Sequence, residues 1–162
     1  MTAGPARAPS REPELVTVRL LGVPLELLER ARRHHDSLER EFQLVTLSRP
    51  EDRAHVTSRL LDLVREVSEP AAAIGAAQAD AVDAAYARGD TTIDLAVPVP
   101  PAAAGACRRL GALLDEADEF CRRGDLLNVA TPPDCVELRH WYLGQFVAQI
   151  EGAPPTRWGD PA

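Results

Sequence analysis

The sequence predicts a mainly α fold, a five-helix bundle with a small two-stranded β element formed by residues near 16–20 and 92–97. Three observations lead there. Apolar residues recur at alternating spacings of three and four along several long stretches, and two short stretches alternate with a period of two. Aromatic residues make up only 4% of the chain, so the core must be built from Leu, Val and Ala, which suit close helix packing better than a large β-sandwich.

Residues 1–13, rich in Pro, Ala and Arg, are expected to be a disordered tail, 14–152 a single helical domain, and 153–162, with three prolines, a Pro-rich C-terminal tail. Val16, Val18 and Leu20 alternate with Thr17 and Arg19, as in a strand that stops at Gly22. Pro24 then opens a helix to Leu47, since a proline in the first turn gives up no hydrogen bond. Its seam is Leu28, Ala31, His35, Leu38, Phe42 and Val45. A second helix is expected from Pro50, with Leu60, Leu61, Val64 and Val67 buried, and it ends before Pro70. An Ala-rich third helix follows to Arg88 and stops at Gly89. Ile93, Leu95 and Val97 share one face of the second strand, Thr92 to Val97. The fourth helix, Ala102 to Arg123, carries the seam Ala103, Cys107, Leu110, Leu114, Ala117 and Cys121, and Gly124 ends it. Thr131 or Asp134 caps the last helix, where Val136, His140, Leu143, Val147 and Ile150 share a side.

A chain of 162 residues with 45% apolar and 27% charged residues has the size and balance of one folded domain. The formal net charge is −7, all 18 basic residues are Arg, and they are interleaved with acidic residues. Such a surface lacks the positive field that gathers phosphate backbones, so nucleic acid is not an expected partner. Cys107, Cys121 and Cys135 show no CxxC spacing, and no apolar leader or long apolar run is present. Reduced thiols in a cytoplasmic protein that engages no membrane are the expectation.

The candidate chemical groups are sparse. His34 and His35 precede Asp36, a His-acidic arrangement suited to phosphotransfer, but His35 falls on the apolar seam and the exposed His34 has no further motif around it. Glu137 and His140 have the Glu-x-x-His spacing of di-iron bundles without the second pair that such a centre needs, and Glu51 with His55 lacks further carboxylates. His140 reads instead as partly buried beside Trp141. Asp115, Glu116, Asp118 and Glu119 read as a solvated helix face, or as a docking surface for a basic partner. No GxSxG and no phosphate loop occurs, so no catalytic residue, metal or cofactor is expected.

The segments VRLLGVPLELLERARRHHDSLEREFQLV, LGALLDEADEFCRRGDLLNVATPP and ELRHWYLGQFVAQIEGAPPTRW resemble a family of small proteins of high-GC Gram-positive bacteria, over residues 15–158. Its genes often sit beside STAS-domain anti-anti-sigma factors, kinase-like anti-sigma proteins and phosphatase regulators. The resemblance implies a non-enzymatic regulatory module in partner-switching signalling, with a STAS-domain or anti-sigma protein as partner, and it carries no residue roles. A homodimer through a heptad-like seam stands beside that reading, and a small-molecule sensor with a pocket between helices is the alternative function. Aromatic and Arg side chains commonly anchor interfaces, which singles out Arg139, Trp141, Arg157 and Trp158 as partner-binding candidates. Trp158 could equally fold back to cover the bundle.

Overall fold

A two-stranded antiparallel ribbon lies against one helix, and that helix is the hub of the rest. The computed structural model describes residues 15–47 and 78–160. In chain order these hold β1 (Val16–Pro24), α1 (Leu25–Leu47), α2 (Ala79–Arg88), β2 (Thr92–Val99), α3 (Ala103–Arg123) and α4 (Pro133–Ile150). The fold is mainly helical, with four helices among the described residues. The helix expected from Pro50, the first part of the one expected from Pro70, and residues 1–13 lie outside the described residues, as do the side chains of Phe42 and Val45.

The two expected strands pair with each other. Val16 stands opposite Val99, Val18 opposite Val97 and Leu20 opposite Leu95, and the alternate residues of both strands are buried on one side. β1 runs past the expected stop at Gly22 because it absorbs a bulge: Val23 pairs with Ile93, so one extra residue is taken up after Leu20. Gly22 permits this, with a φ of 69° that favours glycine, and its N–H donates to Asp94 Oδ1 at 2.6 Å. Pro24 closes the strand instead of opening the helix, and α1 begins at Leu25, whose N–H donates to the Thr91 carbonyl at 3.0 Å.

An isolated two-stranded ribbon is marginal in water, so its apolar face must be covered. Val18, Leu20 and Val23 are wholly buried, and they join Leu138 and Phe146 of α4 in one core. Truncating a buried Phe such as this one typically costs about 3–5 kcal/mol. The other edge of β1 is closed from α4 and from the chain end. Gln149 donates through Nε2 to the Arg19 carbonyl at 2.7 Å and accepts the Arg19 N–H at 2.9 Å, as a neighbouring strand would. Further along, the Trp158 N–H donates to the Leu21 carbonyl at 2.9 Å. Residues 153–160 therefore run back along β1, and Gln145 fastens them by accepting the Thr156 N–H at 3.0 Å.

α2 and α3 end at Gly89 and Gly124, as their sequences predict, with φ of 75° and 78°. α4 begins differently: Pro133 occupies its first turn, no side chain caps it from Pro132, and Thr131 is bonded elsewhere. Its buried set, Cys135, Leu138, Leu143, Gln145, Phe146 and Gln149, also departs from the single side expected. The reason is that α4 meets α3, α1 and β1 at once, which buries more than one stripe.

Candidate functional site

Where α1 crosses α3 and α4, the three helices leave a cleft of about 340 Å³. Its walls are apolar: Leu28 and Leu38 from α1, Leu110 and Leu114 from α3, Leu138 and Leu143 from α4. The charged lining residues balance, with Arg32 and Arg139 against Asp36 and Glu39. A mostly apolar hollow with a few polar groups is the usual constitution of a small-molecule site.

The polar side of the cleft is organised by Asp118. Its carboxylate and the Arg139 guanidinium lie 2.8 Å apart, with side chains 4% and 13% exposed. Asp118 Oδ1 also accepts the Thr131 N–H at 2.8 Å and the Thr131 hydroxyl at 2.6 Å. Burial pushes the Asp118 carboxyl up, but the bonds from Thr131 and Arg139 together outweigh it and hold the group below its ordinary value. Arg139 extends the network to Asp115 Oδ1 at 2.6 Å, and Asp115 meets His140 Nε2 at 2.9 Å.

The acidic run on α3 was expected to face solvent. Asp118 departs from that because Arg139, two turns into α4, supplies a cation that makes its burial tolerable. Glu119 keeps to the expected pattern, exposed and paired with Arg122 at 2.7 Å. Arg139 is thereby held in an ion pair between the two helices.

His34 lines the cleft with His35, and both are half-buried, whereas His34 was expected to be exposed. His35 Nε2 lies 3.4 Å from Glu39 Oε1. His34 makes no hydrogen bond among the described residues, and its Nε2 is closed off from solvent. Burial pushes its imidazole below the ordinary value of 6.5; Arg139 and His35 push the same way and Asp118 opposes them. Burial thus favours the uncharged ring. Arg139 Nε is likewise buried and unpaired among the described residues.

The other partner-binding candidates gather at β1, away from the cleft. Trp141 and Trp158 meet edge to face, with ring centroids 5.4 Å apart and planes at 78°, so each covers the other. Arg157 is half-exposed, 3.8 Å from Asp94 Oδ1, and lies over Gly22 so closely that a Cβ there would come 3.1 Å from Arg157 Cγ. Arg139 points elsewhere because two positions along a helix differ by about 200°.

His140 is exposed, not partly buried beside Trp141, since Asp115 draws it outward. Among the described residues no three His, Cys, Asp or Glu side chains converge as metal ligands, and the Glu51–His55 pair lies outside them. Cys107 lines a second, more open groove of about 530 Å³ together with Asp115 and His140. No hydrogen bond joins it to His140, and burial pushes its thiol up to about 11, the reverse of an activated nucleophile. Cys121 is pushed up to about 11 as well, and Cys135 upward.

Several structuring residues escaped the sequence reading. Glu41, buried near the end of α1, accepts the Asn128 N–H at 2.9 Å and also the Leu127 N–H, which fixes the loop between α3 and α4. Gln78 accepts the Tyr142 hydroxyl, whose burial pushes it up to about 12. The one signal for Gln145 and Gln149 was their i, i+4 placement beside Phe146 on an apolar stretch of α4.

No family model, curated protein or solved structure matches the chain, so these comparisons bear neither way on the resemblance read from its sequence. Among the described residues no helix is long and apolar enough to cross a membrane.

Proposed function

We propose that this chain is a non-enzymatic regulatory module whose cleft between α1, α3 and α4 binds a small, largely apolar molecule. The observation that carries the reading is the cleft itself, about 340 Å³ with leucine walls from three helices and, at its polar side, a histidine that has no hydrogen bond among the described residues. The buried, high-pKa thiols support a non-catalytic role, since none has the thiolate character a nucleophile requires.

A protein partner completes the proposal, and the family resemblance names its class, a STAS-domain or anti-sigma regulator. Leu127 and Val129, 96% and 75% exposed, project from the loop that Glu41 fixes. They are better placed to anchor a partner than Trp141 and Trp158, which cover each other. Thr131 lines the cleft at the end of the same loop, so a ligand there would touch the element a partner meets.

Titration with the neutral fluorophore 1-aminoanthracene tests the cleft. One saturable site is expected on the wild type, and Ala31→Phe, which projects a ring into the cleft, should abolish it while leaving the circular dichroism unchanged. Absence of saturable uptake, or uptake indifferent to Ala31→Phe, would contradict the reading.

A further inference from the structure

We infer that residues 153–160 form a detachable strap, and that the site it covers on β1 and α4 takes the same segment of a second copy, so that two chains pair by exchanging their ends. The inference is independent of the cleft, whose lining includes none of these residues.

The body meets the strap through groups of definite chemistry. Gln145 accepts the Thr156 N–H at 3.0 Å and donates through Nε2 to the Thr156 hydroxyl at 2.6 Å. The Leu21 carbonyl accepts the Trp158 N–H at 2.9 Å, and Leu21 and Arg157 form a parallel bridge. Trp141 meets the Trp158 ring edge to face. Arg157 lies over Gly22, where the absence of a side chain leaves room for it, with Asp94 Oδ1 3.8 Å away. These contacts suit the run Thr156, Arg157, Trp158, and every copy of the chain carries it.

Little of the strap is buried. Residues 153–157, 159 and 160 are exposed, and Trp158 is only partly covered, so one ring supplies most of the apolar contact. A unit with so few buried contacts opens more readily than the fold as a whole. Its hinge suits such opening. α4 is capped by the Gly152 N–H on the Gln149 carbonyl at 3.1 Å and the Ala153 N–H on the Ala148 carbonyl at 2.9 Å, and Gly152, at a φ of 96°, turns the chain back toward β1. Glycine passes from that conformation to an extended one at little steric cost, and Pro154 and Pro155 keep the departing segment extended.

An opened strap leaves the Leu21 edge of β1 bare, and a bare edge is a template for another extended segment. The strap of a second copy restores every lost contact, since site and segment are the same on both chains. Reciprocal exchange then closes on itself as a two-fold dimer. Tethering gives each strap an effective concentration on the order of millimolar at its own body, so the closed monomer dominates in dilute solution.

Two full-length variants test the exchange: Trp158→Ala keeps the site and loses the anchor, and Trp141→Ala keeps the anchor and loses its seat. With the Trp158→Ala chain labelled, its Trp141 indole resonance should move toward the wild-type position and saturate as unlabelled Trp141→Ala chain is added up to about 1 mM. Unlabelled Trp158→Ala chain should shift it at least about tenfold less, because it brings no anchor. No movement, or equal movement with both donors, would overturn the exchange. A peptide of residues 153–162 replaces the donor if Trp141→Ala fails to fold, with the peptide's own Trp158→Ala form as control. If Trp158→Ala fails to fold, light scattering on the wild type decides: dimers at about 1 mM that excess peptide dissolves support the exchange, and monomers at that concentration overturn it. Hydrogen exchange on the wild type tests the opening itself. The Thr156 and Trp158 amides should exchange at least about tenfold faster than those of Leu114 and Ala117 in α3, and equal protection would overturn the detachable strap.

Discussion

Asp118 and His34 show how burial acts on two groups that share one neighbour, Arg139. Asp118 is compensated by Thr131 and Arg139 and sits below its ordinary carboxyl value, while His34 is uncompensated and sits below its ordinary imidazole value. Both shifts have the same sign for stability. A group whose folded pKa is depressed stabilises the fold above its unfolded pKa, and that contribution is lost as pH falls toward the folded value. For His34 the loss begins as pH falls below about 6.5, and for Asp118 it begins near 3.8. Urea unfolding of wild type is therefore expected to weaken from pH 7 to pH 5, and His34→Phe should flatten that part of the profile. The groups around the ring are His35 on α1, Asp118 on α3 and Arg139 on α4, and all three are retained in the variant. A slope unchanged by His34→Phe would count against a buried, neutral imidazole. This pairing was not legible from the sequence, where Asp118 is one of four acidic residues in a run and nothing local marks it as the one that turns inward. The cation that selects it lies 21 residues away on another helix.

Elements were more legible than residues, and each failure has a local cause. The seam Cys107, Leu110, Leu114, Ala117 and Cys121 is buried as its spacing predicts, because α3 packs one broad face inward. The two strands were found from alternation alone, and they pair with each other as expected. α4 misled, since a helix enclosed by three neighbours has no single polar side for a periodic pattern to reveal. Gln149 illustrates the point: a polar residue in an apolar stretch, it does the work of a third strand by bonding both main-chain groups of Arg19. Gln149→Ala should cost about 2 kcal/mol in chemical denaturation, through the loss of two bonds and the exposure of Arg19 backbone groups to poor alternatives. A loss under about 0.5 kcal/mol, the level of an ordinary surface substitution, would show that water replaces the amide freely.

At the scale of the whole molecule, the parts divide into a closed side and an open side. Around β1 every device closes the structure: Gln149, Gln145, the returning chain end and the Trp141–Trp158 contact. Between α1, α3 and α4 a leucine-walled cleft is left beside the Asp118–Arg139 ion pair and a histidine with no hydrogen bond among the described residues. A pocket between helices was an alternative that the sequence could not locate, because the place and polarity of such room depend on how the helices cross. Heteronuclear NMR of the labelled chain during addition of 1-aminoanthracene tests the account most directly. Resonances of Leu28, Leu110, Leu138 and the His34 ring should shift together and saturate, while those of Trp141, Gln149 and residues 154–160 stay in place. Shifts confined to the β1 side, or none that saturate, would contradict the assignment of function to the cleft.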